Sequence, residues 1–158
     1  MAVLKGRRAE RRPQALVVLR SRAFEEAKAR HQAEIAKLHA SFKAATSRES
    51  RDAIDRQIVS RVVEWNRQFS HSRRYFDLHG LRVASARRIA IERVDKMMDE
   101  GAGAGGAGEM RFETGRGRHS KDGVCRVKEH LLEVFASRHR CHCHVDPLNE
   151  GVLVVRWW

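Results

Sequence analysis

Up to Phe69 the apolar residues recur every three or four positions, and from Tyr75 onward they come in short runs closed by glycine, so no single type of secondary structure serves both halves. In the first half Leu16, Leu19, Ala23, Ala27, Ile35, Leu38, Phe42 and Ala45 trace one face of an amphipathic helix. Thr46-Ser47-Arg48-Glu49 then has the form of a capping box and predicts the start of a second helix. Its stripe, Ile54, Ile58, Val62, Trp65 and Phe69, predicts that the pair closes into an antiparallel α-helical hairpin. Arg48, Arg51, Arg56, Arg61 and Arg67 fall on the solvent side.

The second half alternates. A strand is expected over residues 75–78, a helix over 84–100, a strand over 110–114, a helix over 124–139, and strands over 141–145 and 152–157 with a turn at Pro147. Gly101 stops the first of these helices, and the glycine-alanine run 101–108 reads as a flexible connection. The order β-α-β-α-β-β predicts an α/β fold: a two-layer α/β sandwich with a four-stranded mixed sheet, preceded by the hairpin. Three parts follow: a basic N-terminal arm (1–15), a basic helical hairpin (16–74) and an α/β domain (75–158).

Charge sharpens that division. Of 158 residues, 33% are charged against a usual share of about 25%, and the formal net charge is +12. Residues 1–74 hold 18 basic against 8 acidic side chains, residues 75–158 only 14 against 12. A polyanion such as nucleic acid is the expected partner, gripped mainly from the N-terminal half. The longest uninterrupted apolar run, residues 15–19, is far too short to span a bilayer, so no membrane partner is expected. An odd number of cysteines (Cys125, Cys141, Cys143) with no secretory segment before them argues against a disulfide framework and for an intracellular, cytoplasmic setting. The Arg-rich opening also suits an organellar transit peptide, although it lacks serine enrichment, and a nuclear or mitochondrial location stays open.

Two short motifs carry the chemistry: Phe76-Asp77-Leu78-His79-Gly80-Leu81 and, some thirty residues on, Thr114-Gly115-Arg116-Gly117-Arg118-His119-Ser120. In that order, with a helix between them and an Asn149-x-Gly151 turn and terminal apolar strand behind, they resemble the small MutS-related (Smr) domain over residues 75–158. The family usually has Leu where this chain has Phe76, and the glycine run is a further departure. Residues 16–70 resemble the helical segment that precedes many eukaryotic Smr domains. The resemblance implies nuclease activity on RNA or DNA, including cleavage of messenger RNA at stalled ribosomes in some members, and a binding module without turnover in others.

The residues support a mechanism in their own right. Side chains two apart on a strand share a face, which puts Asp77 beside His79, and an acid next to an imidazole fixes its tautomer. His79 and His119 are the candidate base and acid for phosphodiester cleavage, with Asp77 completing the catalytic set. Arg116, Arg118, Ser120, Lys128 and the main chain at Gly115 and Gly117 are candidate phosphate contacts. Asp77 could instead cap the following turn, and Ser120 or Asp122 could simply cap a helix. RNA is expected rather than DNA: a 2′-hydroxyl serves as internal nucleophile without cofactor, whereas DNA would call for a divalent cation such as Mg²⁺. Cys141-His142-Cys143-His144 is not read as a metal site, because strand alternation sends cysteines and histidines to opposite faces. The alternative to an endonuclease is a non-catalytic RNA-, DNA- or ribosome-binding module.

Overall fold

The computed structural model describes residues 22–101, 106–117 and 122–158. The N-terminal arm and the expected stripe positions Leu16 and Leu19 lie outside the described residues. Helices α1 (Arg22–Ala44) and α2 (Arg48–Phe69) precede β1 (Tyr75–Asp77), α3 (Val83–Gly101), β2 (Gly108–Glu113), α4 (Arg126–Ala136), β3 (Cys141–Asp146) and β4 (Asn149–Trp157). The strands form one mixed sheet in the order β1-β2-β4-β3, with β1 parallel to β2 and the other pairs antiparallel. The expected mixed α/β architecture is thus present, hairpin included. No helix among the described residues is long and apolar enough to cross a membrane.

One face of the sheet meets the helices. Phe76, Met110, Phe112, Leu153, Val155 and Trp157 share a continuous core with Ala86, Ile89, Ala90 and Val94 of α3 and Leu131 and Phe135 of α4. Burial of this kind contributes roughly 1.5–3 kcal/mol for each large side chain. Ile35, Ile58 and Val62 of the hairpin belong to the same core, so the hairpin packs onto the sandwich as part of it. The opposite face carries buried Val152 and Val154 among polar side chains, and there Glu109 pairs with Arg111 at 3.3 Å and Arg156 at 3.1 Å. Alternation on β3 sends Cys141 and Cys143 to the core and stacks the rings of His142 and His144 at 5.3 Å on that opposite face. Burial, with Cys141 beside it, pushes the Cys143 thiol up to about 12, so it is inert.

Several boundaries differ from the sequence reading, each for a local reason. The cap of α2 is Ser47, not Thr46: its hydroxyl accepts from Ser50 N–H at 3.1 Å and donates to the Ser50 hydroxyl at 2.8 Å, so Glu49 plays no part in a capping box. Gly108 is strand rather than connection. It lies opposite Trp157, and a Cβ there would come within 2.6 Å of the indole. Strand β4 begins at Asn149 because β3 continues through an irregularity at Val145/Asp146. Ala23 lies exposed, and Ile35 alone is buried on α1. The five hairpin arginines are exposed as expected, three of them paired with acids: Arg48 with Asp52, Arg61 with Glu34, Arg67 with Glu64.

Candidate functional site

Parallel pairing of β1 with β2 puts Asp77 beside Glu113, so both motifs leave the sheet at the same rim. That rim lies at the carboxyl ends of the two strands, where open α/β sheets hold their ligands. Asp77 does two things there. Its Oδ1 accepts from the His79 backbone N–H at 2.8 Å, the turn-capping role, and also lies 3.0 Å from His79 Nδ1. A carboxylate can only accept, so Nδ1 carries the proton and Nε2 is left to face outward. What Nε2 faces is Gly115, where a Cβ would come within 2.4 Å of it. Gly115 has φ +84, so glycine is required there both by conformation and by the imidazole.

Electrostatics follow from this geometry. The Asp77 hydrogen bond and the charges of Asp77 and Glu113 raise the His79 pKa above its ordinary value, against burial and the Lys28 ammonium, which lower it. The protonated ring is therefore favoured by the fold. Its stabilising contribution is complete below the ordinary histidine value and is lost as pH rises through the raised folded value. His31 on α1, stacked on Trp65 at 4.7 Å, is shifted the other way, chiefly by burial.

The hairpin fixes the first motif. Asn66, buried on α2, donates from Nδ2 to the Asp77 carbonyl at 2.8 Å and accepts the Asp77 N–H at 2.7 Å, pairing with β1 as a neighbouring strand would. His39 Nε2 lies 2.7 Å from the Gly80 carbonyl, and Ile35 packs where a Gly80 Cβ would sit. The second motif is held from within the sandwich. Thr114 and Gly115 donate to the Gly151 carbonyl at 2.8 and 3.1 Å, and the Cys125 thiol donates to the Thr114 carbonyl. Gly117 has φ +74 and abuts the Gly123 carbonyl.

Asp77, His79, Gly115, Arg116 and Gly117 thus converge. Arg118, His119 and Ser120 lie outside the described residues. Two expected phosphate contacts need correction. The Gly115 N–H is already committed to Gly151, so this residue serves by its lack of a side chain rather than as a donor. Lys128 points to the Glu150 carbonyl at 3.2 Å and does not line the groove beside His79. Sequence reasoning missed Glu113, whose carboxylate accepts from the Tyr75 hydroxyl and lies 3.8 Å from His79 Nδ1. Asp77, His79 and Glu113 bring ligand atoms within 4.8 Å of one another, a donor set able to hold a divalent cation. The parallel register would have revealed Glu113, but strand spacing alone does not fix it.

No protein-family model matches the chain, and no curated protein does. Among solved structures it is similar to the solution structure of the B3BP Smr domain, with a TM-score of 0.51 and 26% identity over 67% of this chain and 97% of that one. The chain contains an Smr domain. Smr domains form a nucleic-acid-binding, nuclease-type family that includes nucleases. In this Smr domain both motifs stand at one rim, with His79 between the carboxylates of the first strand pair and the glycines of the second loop.

Proposed function

We propose that the chain is an endonuclease that cleaves RNA, with the basic N-terminal half adding sequence-independent phosphate contacts. The observation that carries this is the imidazole of His79, held by Asp77 at Nδ1, with Nε2 against Gly115 at the groove that Arg116 also lines. In the neutral ring Nε2 takes the proton of a ribose 2′-hydroxyl as its oxygen attacks the adjacent phosphorus. The 5′-oxygen of the next nucleotide leaves with a proton from a second acid, for which His119 is the candidate. Products are a 2′,3′-cyclic phosphate and a 5′-hydroxyl, and negative charge building on the phosphorane falls to Arg116. Messenger RNA on stalled ribosomes is a substrate in keeping with this chemistry.

DNA lacks the internal nucleophile, and there Asp77, His79 and Glu113 would hold Mg²⁺ to activate water. The test is cleavage of labelled single-stranded RNA and duplex DNA with and without EDTA, followed by identification of product ends. RNA cleaved in EDTA to cyclic phosphate is expected; cation-dependent cleavage of DNA alone would overturn the assignment. A non-catalytic binding module is the second reading, favoured by the 18-to-8 basic excess of residues 1–74, which needs no turnover to be useful. It expects salt-sensitive binding indifferent to changes at Asp77 and His79, and no cleavage under any condition.

A further inference from the structure

Beyond His79 the rim opens into a groove of about 1330 Å³, of which the chemistry above uses only the mouth. The first turn of α3 and one face of α4 from Arg126 to Val134 wall it, and the loop after β2 lines it as well. Besides Glu113, His130 and Asn149, two kinds of side chain stand out in its lining. Val83, Val127 and Val134 offer aliphatic surface that the protein covers only in part. Arg82, Arg87 and Arg126 stand exposed around them. Arg82 and Arg126 lean on Asp55 and Asp122 at 3.7 and 2.8 Å, whereas Arg87 and Arg116 have no carboxylate partner among the described residues.

This combination matches one chemical class of ligand. An unstacked nucleotide presents an apolar aromatic face with a phosphate one sugar away, and guanidinium planes and aliphatic surface receive those two parts. Bases in a duplex keep their faces stacked and offer only edges. The groove is larger than the roughly 300–1,000 Å³ of small-molecule pockets, which suits a stretch of strand. Charge favours phosphate in the groove: Asp77 and Glu113 stand beside His79 Nδ1, and although Glu113 also lines the groove, Arg82, Arg87, Arg116 and Arg126 outnumber it there.

We infer that the groove is a subsite for the unpaired base next to the scissile linkage. The inference rests on the endonuclease reading and adds a substrate requirement: the strand is single beside the cut, and the base binds through its face, so all four bases serve. It is tested with the full chain on a twelve-nucleotide 2′-O-methyl strand carrying one cleavable ribonucleotide, with an abasic residue on either side of it or three positions away. Loss of the base on one adjacent side lowers kcat/KM about tenfold, while the distant abasic residue changes nothing. Ala84→Glu, at an exposed groove position in the first turn of α3 where an acid favours the helix, removes most of that difference. Cleavage that is indifferent to both neighbouring bases overturns the subsite and leaves the nuclease standing. In parallel, binding of a 2′-deoxy trinucleotide is compared with its abasic versions by equilibrium fluorescence. A base-dependent affinity without any cleavage keeps the subsite and removes the nuclease; equal affinities overturn the subsite.

Discussion

The two motifs at the rim are held from different parts of the molecule. Asp77 and Gly80 are fixed from outside the sandwich, by Asn66 and His39 reaching across 11 and 41 residues of sequence. Gly115 and Gly117 are fixed from inside it, by close approach to His79, Gly151 and Gly123. The first motif is therefore placed from the hairpin, by polar bonds and by Ile35 against Gly80, and the second from within the sandwich, by hydrogen bonds to the Gly151 carbonyl and by the close approach that Gly115 and Gly117 allow. The hairpin contributes more than charge.

Substitutions can break that contrast. Gly115→Ala is expected to have the largest effect, about 10²-fold in turnover, because its Cβ must displace the His79 imidazole. The same change costs about 1–2 kcal/mol from the positive φ, readable as a lower Tm. Asn66→Leu keeps the volume and removes the clamp, leaving the Asp77 N–H and carbonyl unpaired, at about 1–3 kcal/mol in denaturant unfolding. Turnover should fall roughly tenfold with substrate affinity little changed, since the loss is of orientation. An equal fall in affinity and turnover would place Asn66 in general stability instead.

The pH profile sharpens the account further. Asp77 is the main cause of the raised His79 pKa, so Asp77→Asn should move the limb of the pH–rate profile that reports His79 toward lower pH. A limb that stays in place would assign it to another group. Lys28→Gln gives the smallest effect and the opposite sign: without the ammonium the His79 pKa rises further, and the shift shrinks in high salt. Ring-proton NMR titration measures both.

What could be read from the sequence follows from the range of the interactions involved. Helical and strand periods, the glycine stops and the two motifs are local, and they sufficed to place the sheet and the helices around it. The capping of α2 slipped by one residue because Thr46, Ser47 and Ser50 offer rival hydroxyls within one turn. Asn66, His39 and Glu113 escaped notice for a different reason. Each looks like an ordinary polar residue on its own element and acquires its role only when α1 and α2 pack beside β1, or when the parallel register sets Glu113 beside Asp77.

The central claim is that His79, aimed by Asp77 at the space over Gly115, moves the proton in RNA cleavage. Single-turnover cleavage of single-stranded RNA by the full chain and by His79→Ala, purified side by side, with affinity measured on the same strand, tests it most directly. The account expects affinity to be largely retained and cleavage to fall by about 10²–10⁴-fold. Cleavage by His79→Ala at the rate of the parent chain would contradict it.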